Sequence, residues 1–239
     1  LLGEAGFQLG MANYIKRFDG QAVTCDDFVA AMEQGSGKDL RVFRHWYSQS
    51  GTPMVRISES YDSNKHSLKI TLSQHLEQGN NQGDIQPFHI PVMLEILDTQ
   101  GTSLLLSNNE QVQILELTTS KQSFVLNNIP NDYTPVYFGD FSAPVKTDYV
   151  PSQTQLAHIL ANSNNEFSRW DSAQQLMIQC IKDKMTGRDA SETLIESLRQ
   201  VVVNTEMDPA LVALMIEIPS VATIFELFDE VDVDAIILS

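Results

Sequence analysis

Apolar residues in the first part of the chain recur at helical spacing. Phe7, Met11, Tyr14, Ile15 and Phe18 share one face of a helix predicted over residues 4–18, and Asp19-Gly20 stops it. Thr24 followed by Asp27 reads as an N-cap with an acid three residues on. Phe28, Val29 and Met32 supply the stripe of a second helix, which Gly35 is expected to end. A third helix is predicted over 39–49, with Leu40, Phe43 and Trp46/Tyr47 on one face. Gly51 suits the left-handed position beyond its end, and Pro53 forbids continuation.

The period then changes from helical to two. Val55 and Ile57 alternate with polar residues, Asp62-Ser63-Asn64 carries turn chemistry, and Leu68, Ile70 and Leu72 alternate again. After a polar loop over 76–86, Phe88, Ile90, Val92, Leu94 and Ile96 form the cleanest alternation in the chain. Gln100-Gly101 turns it. Further strands are predicted over 103–106, 111–118, 122–126, 136–141 and 145–149, with a bulge where the alternation slips between Ile114 and Leu115. Short strands separated by turns predict an antiparallel sandwich.

Helical spacing returns at Pro151. Ser152 with Gln155 is a capping box. Phe167, Trp170, Met177 and Ile181 mark a long helix, and Asp189 with Glu192 caps the next, whose face is Leu194, Ile195, Leu198, Val201 and Val202. Asp208-Pro209 is an N-cap followed by proline at the first helical position. Pro219-Ser220 breaks the chain before Val221, Ile224, Phe225 and Phe228. Four or five antiparallel helices of this kind predict the start of a helical array. The predicted domains are 1–50, 51–150 and 151–239. Apolar periodic patterns run to both ends, including residues 235–239, so the chain is expected to be the middle of a longer protein.

Composition narrows the function classes. A chain of 239 residues with 42% hydrophobic and 19% charged residues is an ordinary water-soluble composition, and no apolar run is long enough to span a bilayer. The formal net charge is −16, of which residues 151–239 carry −9. That field repels phosphate backbones, so nucleic acid is not expected as a partner, nor is a membrane. The acidic surface reads as a solvated face. Two cysteines, Cys25 and Cys180, make no disulfide framework; a reducing cytoplasm and two small buried thiols are expected.

Several stretches could carry chemistry. His66, His75 and His89 fall in the strand region and would need to converge to hold a metal. His45, Tyr47 and Ser48 offer a nucleophile and a base, but no G-x-S-x-G elbow surrounds the serine. Gly35-Ser36-Gly37-Lys38 lacks the frame of a phosphate loop and reads as a connector. Phe167 and Trp170 could form a ligand platform, although aromatic residues at helical spacing usually pack in a core. Asp229, Glu230, Asp232 and Asp234 lack the glycine and terminal glutamate of a calcium loop. No catalytic, cofactor-binding or metal-binding residue is assigned from these patterns.

The layout is explained by a resemblance. Trp46, Gln49, Gly51, Pro53 and Val55 fit W-x-x-Q-x-G-x-P-x-V, a junction in the bacterial branch of the zinc-dependent aminopeptidase N (alanyl aminopeptidase, gluzincin) family. The stretches DGQAVTCDDFVAAME (19–33), FSAPVK (141–146), EFSRWDSAQ (166–174) and DPALVALMIEIPS (208–220) are similar to successive parts of that family, in order. VDVDAII near the end departs from it by lacking a proline.

The resemblance implies a multidomain α+β plan: terminal helices of a thermolysin-like catalytic domain (1–50), an antiparallel β-sandwich (51–150) and the start of an α-helical superhelix (151–239). It implies a parent metallo-exopeptidase that removes N-terminal amino acids from peptides in the cytoplasm, with zinc as cofactor. The family's His-Glu-x-x-His, third-ligand Glu, G-x-M-E-N and transition-state Tyr are absent here and would lie upstream of Leu1. The segment is therefore expected to be inactive, to bind no zinc and to serve as scaffold, packing against the missing catalytic and C-terminal helical domains. The alternative is a self-standing sandwich and helical module that binds a partner protein.

Overall fold

The computed structural model describes residues 1–77, 79, 83–185, 187, 192–204 and 207–225. The expected cap at Asp189, Phe228, the run 235–239 and the acids Asp229, Glu230, Asp232 and Asp234 lie outside the described residues, as does part of the 76–86 loop.

The chain begins with an antiparallel helix pair, α1 (Gly3–Phe18) and α2 (Cys25–Ser36). Thr24 caps α2 reciprocally with Asp27, as its spacing predicts. Gly35 does not end α2. The helix runs one residue further, and Gly37 takes the left-handed cap at φ 72°. Gly35 serves another purpose, because a Cβ there would strike the backbone of Gly10 on α1. The two glycines let the helices touch backbone to backbone. Val29, Met32 and Leu40 form the small core beneath, with Tyr14, Phe28 and Phe43 packed on it.

The helix predicted over 39–49 is only α3 (His45–Ser48). Side chains take the backbone donors ahead of it: Asp39 Oδ1 accepts from Arg41 N at 2.9 Å, and Glu33 Oε1 from Leu40 N at 2.8 Å. His45, Trp46 and Tyr47 then bond three residues back, as tight turns. Gly51 has φ 104°, but it lies beyond the extended cap residue Gln49.

Among the described residues seven strands follow: β1 (Met54–Asp62), β2 (Ser67–His75), β3 (Ile90–Leu97), β4 (Val112–Leu117), β5 (Lys121–Asn127), β6 (Thr134–Tyr137) and β7 (Lys146–Asp148). They form two sheets, ordered β5-β2-β1-β7 and β4-β3-β6. Inward residues of both, among them Leu68, Ile70, Leu72, Ile90, Leu94 and Leu117, make the largest core. All pairings are antiparallel except β7, which joins β1 in parallel and places Asp148 Oδ2 2.7 Å from Arg56 Nε.

Three sequence expectations change here. Residues 103–106 make one bridge, Leu97 to Ser103, and no strand. The 136–141 strand stops at Tyr137 and enters a short helical turn at 139–141. No bulge occurs in β4: its register with β3 is continuous from Ile90↔Leu117 to Glu95↔Val112. The alternation slips because Ile114 faces solvent while Leu115 faces the core.

The helical unit comprises α4 (Gln153–Asn162), α5 (Glu166–Met185), α6 (Glu192–Val203), α7 (Pro209–Ile216) and α8 (Val221–Phe225). Ser152 and Asp208 cap α4 and α7 as expected. Leu156, Leu160, Leu176, Met177 and Val201 meet in its core. Arg169 Nε donates to Leu160 O at 2.8 Å and so satisfies a carbonyl at the end of α4. Cys180 is buried in this core, whereas Cys25 is exposed at the start of α2, contrary to the expectation of two buried thiols. No described helix is long and apolar enough to cross a membrane.

Candidate functional site: two joints of the sandwich

The opening helices meet the sandwich through the aromatic turn. Phe43 stays with the helix pair, while Trp46 turns to the sheets. Its ring lies 4.5 Å from that of Phe88, and its Nε1 donates to His89 O at 3.0 Å. Gln49 and Gln86 exchange two bonds, Gln49 Nε2 to Gln86 O (2.9 Å) and Gln86 N to Gln49 Oε1 (2.6 Å). His45 Nδ1 lies 2.6 Å from Pro87 O. The chain ahead of β3 is thereby held by three side chains from one turn.

An ionic cluster backs this joint. Glu116 on β4 accepts from Lys38 Nζ at 2.7 Å and lies 2.7 Å from the buried His89 Nε2. Burial works against its ionisation, but the bonds from Lys38 and His89 outweigh it and hold its carboxyl below the usual range. Glu33 is lowered by the Leu40 N–H and then by Arg44. The Arg41 guanidinium holds the exposed Asp39 at about 2.

The second joint centres on Glu95 of β3. Glu95 is 4% exposed, on the sheet face opposite the sandwich core. Ser103 Oγ and Asn164 N donate to Oε1, the latter at 3.3 Å, and Ser163 Oγ donates to Oε2 at 2.6 Å. Asn164 Nδ2 closes the ring by donating to Ser103 Oγ at 2.8 Å. Residues 163–165 are the turn between α4 and α5, so one carboxylate ties the helical unit to the three-stranded sheet. Ile159 packs on Leu97 and Val136 beside it, and His158 Nε2 lies 2.8 Å from Asp98 O.

Within the sandwich, Tyr133 and Tyr137 both donate to Glu59 at 3.0 Å. Burial, and then the Glu59 charge, push both phenols well above the ordinary value. These groups cap the inner face of β1 and present no nucleophile with a base.

The residues singled out from sequence are not brought together. His66 sits in the β1–β2 turn, 3.3 Å from Tyr61 OH, and His75 lies at the opposite end of β2, roughly 30 Å along the strand. His89 belongs to the other sheet's approach. Among the described residues no group of three His, Cys, Asp or Glu side chains is placed to hold a metal ion. Ser48 Oγ reaches the backbone of His45 at 3.4 Å, not its ring, so no nucleophile–base pair forms. Lys38 bonds Glu116 and Leu1 O and cradles no phosphate. Phe167 and Trp170 are 5.7 Å apart; Trp170 joins the helical core and Phe167 faces Phe141 at 5.6 Å.

Sequence reasoning missed Glu95. In an alternating strand an outward acid reads as solvated. The signal against that reading is on the same face: Pro91, Met93 and Leu97 are also outward, which only a covering layer explains.

Comparisons with known proteins match this arrangement. Residues 51–150 match the family model of a domain of unknown function, DUF3458, with an Ig-like fold. Residues 153–239 match DUF3458_C, described as ARM repeats. The chain is 39% identical over 244 residues to aminopeptidase N of Escherichia coli (strain K12), covering 99% of this chain and 28% of that protein. It is 38% identical to aminopeptidase N of Haemophilus influenzae, with the same coverage. The crystal structure of Legionella pneumophila aminopeptidase A in complex with aspartic acid superposes with a TM-score of 0.85 at 24% identity, over 99% of this chain and 27% of that one. The expected order, a β-sandwich followed by a helical array, is borne out.

Proposed function

Because the chain belongs to the aminopeptidase N family, we propose that it is the non-catalytic central segment of a zinc metallo-aminopeptidase that removes N-terminal amino acids from peptides. The observation that carries this reading is coverage: nearly the whole chain aligns, yet it spans only 28% of the relatives' length. In the proposed parent, zinc would polarise the scissile carbonyl and activate water. The histidines here are too scattered to supply that site, and no catalytic step is assigned to this chain.

Its own work would be positional. Residues 1–50 would close the catalytic domain, 51–150 would be the sandwich, and 151–239 would begin the superhelix. The Trp46–Gln49 joint would hold the sandwich against the catalytic side, and the Glu95 joint would hold the helices. A substrate chamber walled by these units needs both joints to keep their angle. The parent would work in the cytoplasm.

The coding sequence around this segment tests the reading. A His-Glu-x-x-His motif is expected in frame upstream of Leu1, with a further glutamate downstream of it. Its absence would favour a self-standing binding module.

A further inference from the structure

A cavity of about 190 Å³ opens between β6, β7 and helices α4 and α5, where the chain leaves the sandwich. Its lining residues are mostly apolar, with Ile57, Val145 and Leu156 among them, and its polar ones include Asp171, Gln175, Ser168 and Ser172. The Gln175 amide donates to Asp171 Oδ2 at 2.6 Å, the one hydrogen bond this carboxylate receives among the described residues. Burial pushes the Asp171 carboxyl above its ordinary value, and the single Gln175 bond offsets only part of this. Asp171 is half-buried, and among the described residues no cation is paired with it.

The rim of the cavity is strained. Phe138, Asp140 and Phe141 have left-handed backbones, with φ 59°, 53° and 50°. Such a conformation is costly for a phenylalanine and persists only where surrounding bonds hold it. Specific bonds hold it: Asp140 N donates to Asn165 Oδ1 at 3.1 Å, Asn165 Nδ2 returns one to Asp140 Oδ1 at 2.6 Å, and Met93 N donates to Ser142 Oγ at 3.1 Å. The strained turn delivers Phe141, 58% exposed, to the mouth of the cavity, where its ring faces Phe167. A turn made only to reverse the chain has no need of an exposed aromatic at such a conformation.

We infer that this cavity is a binding site for a small primary amine carrying an apolar group, with the ammonium on Asp171 and the hydrocarbon against the apolar wall that the Phe141–Phe167 pair borders. An ammonium supplies the charge partner that the carboxylate lacks, and aromatic faces add to its attraction. The volume suffices, since an apolar cavity of about 150 Å³ admits benzene. Val136 and Ile159 of the second joint also line the pocket, but Glu95, Ser163 and Trp46 do not, so the proposal does not rest on the scaffold reading.

Benzylamine and benzyl alcohol, which differ chiefly in charge, are the probes. Each is titrated into the purified chain at neutral pH and followed by amide chemical shifts. Saturable benzylamine binding is expected, at least tenfold tighter than benzyl alcohol, with shifts at Phe141, Phe167 and Gln175. Asp171→Asn is expected to abolish the preference for the amine while leaving the far-ultraviolet dichroism unchanged. Phe141→Ala, at an exposed position, is expected to weaken both probes several-fold and keeps the test decisive if the first variant folds poorly. Absence of saturable binding, equal affinity for the two probes, or a preference that survives Asp171→Asn would overturn the inference.

Discussion

Ser163 Oγ donates to Glu95 Oε2 at 2.6 Å, joining the first turn between the array helices to the middle strand of the three-stranded sheet. Removing one donor from a buried carboxylate leaves that charge less compensated. Ser163→Ala is therefore expected to destabilise the chain by about 1.5–3 kcal/mol, the range for hydrogen bonds to charged groups. Urea denaturation measures the loss, and amide exchange is expected to quicken first at the α4–α5 turn.

The Gly10–Gly35 contact gives a prediction whose sign is diagnostic. In an ordinary helix Gly35→Ala would stabilise by about 0.5–1 kcal/mol. Here the added methyl meets the Gly10 backbone. Destabilisation of about 1–3 kcal/mol is expected, read from the denaturation midpoint. A stabilised variant would remove the close-approach account of the helix pair.

Trp46 carries two separable contributions. Trp46→Phe keeps an aromatic ring against Phe88 but deprives His89 O of its donor, for an expected loss of about 1 kcal/mol. Trp46→Ala removes the packing as well and is expected to cost about 3 kcal/mol or more. Calorimetry on both variants separates hydrogen bond from burial.

The Lys38–Glu116–His89 cluster sets a pH dependence. The folded carboxyl of Glu116 lies below its unfolded value of about 4.3. Its contribution to stability is present above that value and is lost as pH falls through the folded one. Glu33 has the same sign. Urea midpoints are expected to hold steady from about pH 7 to 5.5 and to decline below about pH 4.5. Glu116→Gln is expected to be less stable at neutral pH and to decline less.

Much of the architecture is legible where one period dominates. The β3 alternation, the caps at Thr24, Ser152 and Asp208, and the change of period at Pro53 and Pro151 follow from local chemistry. What local reasoning misjudges is settled by partners distant in sequence. Glu33 and Asp39 capture the donors that residues 39–44 would need for a helix. A covering helical layer buries Glu95. The absent bulge at Ile114 reflects a sheet that tolerates one exposed isoleucine. The positive φ values at Phe138 and Phe141 leave no trace in residue type, whereas Asp140 is a type that tolerates the left-handed region.

On the proposed function, this chain scaffolds an aminopeptidase without performing its chemistry. Metal analysis of the purified chain, paired with an aminoacyl-anilide hydrolysis assay in the presence of added zinc, tests it most directly. Zinc at buffer level and no turnover are expected. Stoichiometric zinc with turnover that is lost on substituting His66, His75 or His89 would contradict it.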